Sequence, residues 1–417
     1  MTATGPCLLA PGDAPIRIVD IDLAEPGRFH PPGSRVGIHP QGRVLALVRR
    51  GGHPVGMVVS SGPGPAELWQ TLADATLREL DVHRAPPAAG RTGDTPDISV
   101  VVPTHNRCDL LRQCLDSLLR MEYPRSRFEI TVVDNAPADT AAEQLVHEAY
   151  RHQVRYVREP VTGGARARNR GLAASHGTIV AYSDDDTLVD ARWLSALAEA
   201  FSEDRQVGCV TGLIVPAELQ TEAQAALERH GAFGKGYSPR AWSLHDPPED
   251  PLFPFTAGHF GSGANMAFRT DLLRALGGFD PATGPGTPAR GGEDLLAFFQ
   301  VVVSGRTLVY QPDAIVWHHH RRTADALSAQ AFGYGVGFGA YLTAALAHHP
   351  RMLPPLLRRL PGGIRYATAR ARMRTSSQDT AWSRRLALLE LQGLLYGPVG
   401  YLRSRSHCLR NSRAHET

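Results

Sequence analysis

Three consecutive carboxylates, Asp184, Asp185 and Asp186, directly follow the apolar segment TIVAYS. Ionised groups this close repel one another, so the triplet predicts a bound cation. Mg²⁺ or Mn²⁺ is expected, because these ions prefer oxygen ligands and are usually held by one or two carboxylates plus substrate phosphates. If the triplet continues the strand, Asp184 and Asp186 share one side and Asp185 turns away. A strand-end or helix-capping role without a cation is the structural alternative.

A glycine pair, Gly163-Gly164, precedes a predicted helix that opens with Arg166, Arg168 and Arg170. Bare amides at a helix N-terminus, together with arginines, suit a diphosphate. The glycine spacing matches neither a Walker loop nor a dinucleotide-binding fingerprint. The segment therefore predicts an anion site of another kind, with a loop of solvated arginines as the alternative.

Two further clusters carry titratable groups. Glu293 and Asp294 follow two glycines at the start of an apolar helix, where an acid is either a helix-dipole partner or, in a cleft, a general base. A histidine triplet ends a β-branched segment, and its alternate members, His318 and His320, are expected to share a face. Either both approach a metal or one binds it while the other supports it, a surface strand end being the alternative.

Strand-like and helix-like segments alternate between residues 98 and 184, and the strands are continuous apolar runs. This pattern predicts an α/β fold with one mainly parallel, Rossmann-like sheet covered on both faces. Ligands of such sheets bind beyond the carboxyl ends of the strands. Three polar clusters, which begin at Thr104, Asp134 and Asp184, fall at those ends.

The sequence predicts three domains. Residues 1–90 form a small α+β unit, with a hairpin around Gly51-Gly52 and a helix from Pro65, and a Pro/Gly-rich linker follows over 83–97. Residues 97–322 form the α/β domain. Residues 323–417 form a basic helical extension.

Composition restricts the class of protein. The 417 residues contain no apolar run of the roughly 20 residues that cross a bilayer, and the N-terminus lacks a leader pattern, so a cytoplasmic protein is expected. Five cysteines without a C-x-x-C pair argue against a disulfide framework or a structural zinc site. From Arg351 onward thirteen arginines face three acids, a net charge of +10 within a chain of net +3. This tail is either a solvated face or a peripheral contact with the inner face of the membrane.

The order of the motifs is more specific than any one of them. VVPTHNR, VVDN, GARARNRGL, the acid triplet, GSGANMAFRTDLLRALGGFD, GGEDLL and YQPDAIVWHHHR follow one another over residues 97–322. The set resembles family 2 glycosyltransferases of the type-A fold. The resemblance implies a nucleotide-binding sheet joined to an acceptor-binding half, and inverting transfer of a sugar from a nucleotide diphosphate to an acceptor hydroxyl.

The resemblance also implies roles for individual residues. The donor nucleotide-sugar would be bound by residues of three strand ends and the arginine helix, namely Pro103, Thr104, Asn106, Asp134, Arg168, Asn169, Asp184 and Asp185. Asp186 would hold the Mg²⁺ or Mn²⁺, with His318 as the first candidate for an additional ligand and His320 as the second. Asp294, paired with Glu293, would be the catalytic base.

The sequence departs from the family pattern in two places. Asn135 stands where many relatives have a second acid, and the C-terminal part lacks the Gln-x-x-Arg-Trp motif and the long apolar spans of processive synthases. A non-processive enzyme is expected, with a UDP- or dTDP-linked hexose as donor and no nucleic acid partner. Its acceptor is a cell-envelope glycan, a lipid-linked precursor or a soluble natural product. The alternatives are a non-catalytic nucleotide-sugar-binding protein and a glycoside hydrolase that uses Asp186 and Asp294.

Overall fold

The computed structural model describes residues 9–80, 95–230, 233–359, 361–362 and 380–414. The N-terminal unit consists of β1 (Arg17–Asp22), β2 (Gly42–Arg50), β3 (His53–Gly62) and α1 (Pro65–Glu79). β1 and β2 are parallel, β2 and β3 are antiparallel, and α1 packs its apolar face on this sheet. The hairpin and the helix predicted here are confirmed. Most of the predicted linker lies outside the described residues.

The central sheet has nine strands within the described part of the chain: β4 (Ile98–Thr104), β5 (Phe128–Asn135), β6 (Arg155–Glu159), β7 (Ile179–Ser183), β8 (Thr187–Val189), β9 (Val207–Pro216), β10 (Arg240–Trp242), β11 (Asn265–Arg269) and β12 (Thr307–His318). The order is β10-β12-β9-β11-β7-β4-β5-β6, and β8 pairs with β12. β4 to β7 run parallel to their neighbours among these strands, while β11 is antiparallel to β7 and β9. The predicted α/β fold with a single large sheet is confirmed. The sheet is mixed rather than mainly parallel, because β8 and β10 are antiparallel to β12 and β11 is antiparallel to both of its neighbours.

The helices of this region and of the C-terminal extension are α2 (Cys108–Leu118), α3 (Ala141–Ala149), α4 (Gly164–Ala174), α5 (Trp193–Glu203), α6 (Glu222–Arg229), α7 (Thr270–Ala275), α8 (Glu293–Val303), α9 (Ala324–His348) and α10 (Thr380–Ala414). Side chains of a strand alternate between faces, so Val101 and Val133 join the core beneath α4 and α8, whereas Val100 and Val132 join the core beneath α2, α3 and α5. Both faces of the sheet are therefore covered.

The acid triplet lies in a turn rather than in a strand. β7 ends at Ser183, and the chain reverses through Asp184–Asp186 into β8, which pairs with β12 instead of extending β7. The expected strand alternation of the three side chains was therefore wrong. The turn directs each carboxylate to a different set of neighbours. Likewise β12 ends at His318, so His320 lies beyond the strand.

A buried arginine joins the N-terminal unit to the central sheet. Arg49 of β2 is 2% exposed and contacts Asp20 of β1 at 2.7 Å and Asp190, just after β8, at 2.5 Å. A second link pairs His53 with Asp313 at 2.8 Å. Because Asp190 follows the acidic turn by four residues, the N-terminal unit helps fix the segment that carries the acids.

The C-terminal extension packs α9 against α10. Neither of them, nor any other helix in the described ranges, is long and apolar enough to span a bilayer.

The buried pair can be tested against an exposed one on the same strand. Arg49→Met leaves two buried carboxylates without their cation, and we expect a loss of about 3–5 kcal/mol in the free energy of unfolding. Arg43→Met removes the Arg43–Asp13 pair, whose arginine is 46% exposed, and we expect a loss below about 1 kcal/mol. Urea denaturation followed by circular dichroism measures both. Equal losses would contradict the proposed link.

Candidate active site

The predicted site residues gather at one edge of the sheet. β4, β5 and β7 are parallel neighbours, so their carboxyl ends bring Thr104, Asp134 and the acidic turn together. Hydrogen bonds and ion pairs then connect the turn to α2, α4, α8 and the end of β12. The site is thus built from segments separated by more than 200 residues of sequence.

Arg168 is the central contact of this edge. Its side chain is 5% exposed, and one guanidinium nitrogen donates to Asp184 at 2.9 Å while another donates to Glu293 at 2.7 Å. A planar guanidinium presents several donors in a fixed geometry and can hold two carboxylates at once. Arg168 thereby fixes the distance between the acidic turn and the start of α8.

Glu293 and Asp294 have different environments. Glu293 is buried, and burial raises its pKa to about 7 although Arg168 opposes the shift. Asp294 is half-buried, and its two carboxylate oxygens accept the main-chain N–H groups of Gly263 and Leu295, each at 2.8 Å. A carboxylate oxygen can accept more than one hydrogen bond, so Asp294 can also receive a proton. Glu293 positions Arg168, and Asp294 is the acid suited to contact a substrate.

The start of α8 is held by a close approach of α9. Gly292, the N-cap of α8, has φ +89°, and a Cβ atom there would collide with the carbonyl oxygen of Gly337. At position 292 the positive φ disfavours any residue other than glycine, and the contact with Gly337 leaves no space for a side chain. The close approach of Gly292 to Gly337 therefore positions Glu293 and Asp294 against α9.

Asp185 and Asp186 are both buried and share Arg107. Arg107 Nη1 lies 3.2 Å from Asp185 and 3.0 Å from Asp186, and Thr104 donates to Asp185 at 2.8 Å. Burial raises the pKa of Asp185 to about 6, with Asp186 adding to the shift and Arg107 opposing it. Burial opposes ionisation of Asp186 as well, but His318 and Arg107 outweigh it and lower its pKa. Asp186 is therefore a stable anion at neutral pH.

Asp186 and His318 are the residues that fit a divalent cation. Asp186 Oδ1 lies 3.4 Å from His318 Nε2, and both side chains are less than a tenth exposed. No group of three or more ligating side chains occurs among the described residues. One carboxylate and one imidazole, completed by diphosphate oxygens, match the habit of Mg²⁺ and Mn²⁺ of sharing ligands between protein and nucleotide. A cation here would meet the strongest anion of the turn.

The histidine triplet forms a chain that leads away from the acids. His318 Nδ1 lies 3.0 Å from His320 Nδ1, and His320 Nε2 lies 2.6 Å from Glu228 of α6. Both nitrogens of His320 are thus occupied, whereas His319 faces Glu218 at 3.9 Å. His318, rather than His320, is the histidine that faces the acidic turn. Of the two expected arrangements, this geometry favours the one in which His318 binds a metal and His320 supports it, and metal binding itself stays a prediction.

The proton positions in this chain follow from its acid end. The Glu228 carboxylate can only accept, so His320 Nε2 donates to it and His320 Nδ1 is left as an acceptor. His318 Nδ1 then donates to His320. Burial opposes a charge on His318, but the Asp186 carboxylate 3.4 Å from Nε2 raises the His318 pKa and favours a proton on Nε2. A cation would need the lone pair that remains when this proton leaves, so Glu228 and His320 select the binding tautomer of His318.

Asp134 has one carboxylate oxygen that no donor of the described structure reaches. Its Oδ2 accepts from Tyr156 at 2.9 Å, while Oδ1 is buried and has no hydrogen-bond partner within the structure. Burial also raises the Asp134 pKa, although the Tyr156 hydroxyl opposes this. A buried acceptor without a donor is costly, so a base N–H or ribose hydroxyl at this point would be stabilising.

The N-terminus of α4 differs from the expectation of bare amides. Gly163 N–H donates to Asn135 Oδ1 at 2.9 Å, and Gly164 N–H donates to the Pro285 carbonyl at 2.9 Å. These two amides are already satisfied and cannot bind a diphosphate. Asn135, which replaces the usual second acid, thus orients the loop before α4. Arg170 is exposed and Arg166 reaches Cys408 at 3.5 Å, so only Arg168 of the three arginines contacts the acids.

The remaining predicted residues lie around this edge. Pro103 is half-buried at the end of β4, and exposed Asn106, with φ +54°, accepts from Ala138 N–H at 3.0 Å. Asn169 contacts both the N–H and the carbonyl of Phe279, at 2.8 and 2.7 Å. Its amide therefore holds main chain at the back of α4. Their contacts with a donor stay predictions.

Three residues of this edge have contacts that were not predicted from the sequence. Arg107, the last residue of VVPTHNR, pairs with two acids, Tyr156 supports Asp134, and Glu228 ends the histidine chain. The position of Arg107 inside a motif was an available signal. Tyr156 and Glu228 gave no such signal. Each lies outside the quoted motifs and is 22 or more residues away in sequence from the residue that it contacts.

This mixed sheet, with an acidic turn and a helix-start acid pair joined by a buried arginine, belongs to the α/β class, and its polar edge lies where sheets of that class bind ligands. Residues 99–277 match the profile of Glycosyl transferase family 2, and the chain carries a domain of that family. The family predicted from the order of motifs is confirmed.

Two curated relatives and one solved structure extend the comparison. The chain is 28% identical over 295 residues to the pre-mycofactocin glycosyltransferase of Mycobacterium tuberculosis, covering 70% of this chain and 55% of the relative. It is 28% identical over 152 residues to the validoxylamine A glucosyltransferase of Streptomyces hygroscopicus subsp. limoneus, covering 36% and 34%. The chain thus spans about half of the first relative and a third of the second. A mannosyltransferase of Pyrobaculum calidifontis, solved with GDP-Man and Mn²⁺, aligns at a TM-score of 0.48 with 22% identity, over 76% of this chain and 91% of that one.

The histidine chain predicts an effect on metal binding. Glu228→Ala removes the acceptor that selects the His318 tautomer, so we expect Mn²⁺ affinity to fall by about 10-fold or more. The matched control is Glu218→Ala, which removes an acid that pairs with Arg322 and His319 but not with His320. Electron paramagnetic resonance of free Mn²⁺, titrated with and without UDP, measures the affinity. Equal losses in both variants, or none in Glu228→Ala, would contradict the assignment.

Proposed function

We propose that this protein transfers a sugar from a nucleotide-diphosphate sugar to an acceptor hydroxyl, with inversion at the anomeric carbon and with a divalent cation. The observation that carries the proposal is the Arg168 bridge between Asp184 and Glu293. It joins two clusters of carboxylates at one edge of the sheet, the acidic turn (Asp184–Asp186) and the acid pair at the start of α8 (Glu293 and Asp294). The acidic turn suits the donor and its cation, and the acid pair suits the acceptor.

The donor half consists of Asp134, the acidic turn and His318. The free, buried Oδ1 of Asp134 would accept a hydrogen bond from the base or the ribose. Asp186 and His318 would hold Mg²⁺ or Mn²⁺ beside the diphosphate. When bound, the cation would offset the negative charge of the departing nucleoside diphosphate. Asp184, paired with Arg168 and 31% exposed, would face the ribose or the sugar.

The acceptor half depends on Asp294. The acceptor oxygen attacks the anomeric carbon, its proton passes to an Asp294 oxygen, and the bond from that carbon to the diphosphate oxygen breaks. A single displacement of this kind inverts the anomeric centre. Glu293 is a poorer base, because its carboxylate is buried against Arg168. The Gly263 N–H holds Asp294 in place.

The donor we propose is a UDP- or dTDP-linked hexose, and the reaction takes place in the cytoplasm. The names of the two curated relatives identify pre-mycofactocin and validoxylamine A as their substrates. These names favour a natural-product acceptor over the cell-envelope glycan and lipid-linked alternatives.

The charge state of Asp186 argues against the hydrolase alternative. A glycoside hydrolase needs one carboxylic acid that is protonated at neutral pH. His318 and Arg107 lower the pKa of Asp186, even though burial opposes them, so Asp186 cannot supply that proton. Metal binding is the better use of a carboxylate held in this way.

Nucleotide release separates the proposed roles of the two acids. We expect Asp186→Asn to weaken Mn²⁺-dependent binding of the nucleotide, because the cation loses its carboxylate. We expect Asp294→Asn to bind nucleotide normally but to lower turnover by about 10²-fold or more, since general base catalysis contributes that much. The matched control is Asp139→Asn, an exposed acid near the same edge that should change neither quantity.

The assay uses UDP-, dTDP- and GDP-sugars with and without Mn²⁺, with calorimetry of the same nucleotides. Metal-dependent release that disappears in Asp186→Asn would support the proposal. Nucleotide binding without release for any donor or acceptor would favour the non-catalytic alternative. Absence of metal-dependent binding across the whole panel would contradict the proposal.

A further inference from the structure

Helix α10 exposes an apolar stripe. Leu388, Leu391, Leu395, Val399, Leu402 and Leu409 are each between 44% and 73% exposed. Their spacing of three, four or seven residues places them on one side of the helix. We call these six side chains the leucine stripe. At about 1.5 Å per residue it is about 32 Å long. It is an extended surface, larger than the isolated apolar residues that most proteins expose.

The opposite face of α10 explains why the leucines point outward. α10 packs on α9 through glycines, and a Cβ atom at Gly393 or Gly397 would collide with the main chain of α9. Gly335 and Gly339 of α9 are equally tight against α10. A helix of a globular protein normally turns its leucines toward the core. Here glycines bring the two main chains together and Leu386 packs against apolar side chains of α9, whereas the leucines of the stripe stay exposed.

Charge identifies what this face would meet. Five arginines between residues 384 and 410 are exposed, namely Arg384, Arg385, Arg403, Arg405 and Arg410. The only acid in that interval is Glu390, which lies on the other side and contacts His230 at 3.2 Å. Between residues 384 and 410 the leucine stripe is therefore bordered by arginines of α10 and by no acid of that helix. A shallow depression near its C-terminal end is lined by Leu402, Leu409, Arg403 and Arg410, together with Ser406 and His407.

We propose that the leucine stripe of α10 docks on the surface of a bilayer that contains anionic lipids. A helix with leucines on one face and arginines along its borders lies in the interface plane, with its apolar side chains among the acyl chains and its cations at the lipid phosphates. A second copy of the chain fits less well. Two such faces would bring rows of arginine together without a carboxylate to pair them.

The docking surface lies close to the candidate active site. The buried face of α10 contacts the loop before α8, where Gly400 approaches Pro288 and Cys408 Sγ lies 3.4 Å from the Pro281 carbonyl. A helix is about 10 Å thick, so the bilayer surface would lie roughly that far from this loop. The proposal does not depend on sugar transfer, because the surface exists whatever the site does.

Vesicle flotation of the full chain tests the proposal. We expect the protein to float with vesicles of phosphatidylcholine plus phosphatidylglycerol, and much less with phosphatidylcholine alone. The triple variant Leu391→Ser, Leu395→Ser, Leu402→Ser should lose at least about 10-fold in the partition coefficient, because its apolar contact is removed. Arg405→Gln and Arg410→Gln should each cost about fivefold.

The matched control is Val36→Ser, Leu77→Ser, Leu244→Ser, which removes three other apolar side chains that are 44% to 69% exposed. It should bind vesicles like the unmodified protein. Circular dichroism should show that both triple variants keep their helices, since all six side chains are exposed. Three results would overturn the proposal: no flotation with anionic vesicles, equal losses in the two triple variants, or a stable dimer in light scattering that the leucine variant dissociates.

Discussion

A single buried guanidinium determines the geometry of the candidate active site. Arg168 contacts Asp184 of the acidic turn and Glu293 of α8, two residues that are 109 positions apart and have no other direct link in the described structure. Without this cation the buried Glu293 carboxylate would lose its partner, which is strongly destabilising, and the partly exposed Asp184 would lose its ion pair. The bridge therefore makes one compact acidic site out of two separate segments.

Other parts of the fold keep the two ends of the bridge in place. The parallel strands β4, β5 and β7 bring the acidic turn to the same edge as Thr104 and Asp134, and Arg49 fixes the segment just after the turn. On the other side, the close contact of Gly292 with α9 sets the first turn of α8. His318, which we propose as a cation ligand together with Asp186, is supported separately by His320 and Glu228. The positions of the acids are thus set by the strands, Arg49 and Gly292, whereas the tautomer of His318 is set by His320 and Glu228.

Much of this arrangement could be predicted from the sequence, because strands, helices and motif order are local signals. The alternation of strands and helices between residues 98 and 184 was predicted, and Asp134 was placed correctly at the end of a strand. The turn at Asp184–Asp186 was missed, because the pairing of β8 with the distant β12 decides it. The same limit applies to Arg168, whose contact with Glu293 joins residues 125 apart, and to the amides of α4, which distant residues already satisfy.

The most direct test of the bridge is the turnover of Arg168→Lys in the nucleotide-release assay, with Arg170→Lys on the exposed side of the same helix as control. Lysine keeps the charge but cannot reach two carboxylates with a fixed planar group. The account predicts a loss of about 10²-fold in kcat, since small displacements of catalytic groups have effects of that size. The melting temperature confirms that the variant is folded. A folded Arg168→Lys variant with normal turnover would contradict the account.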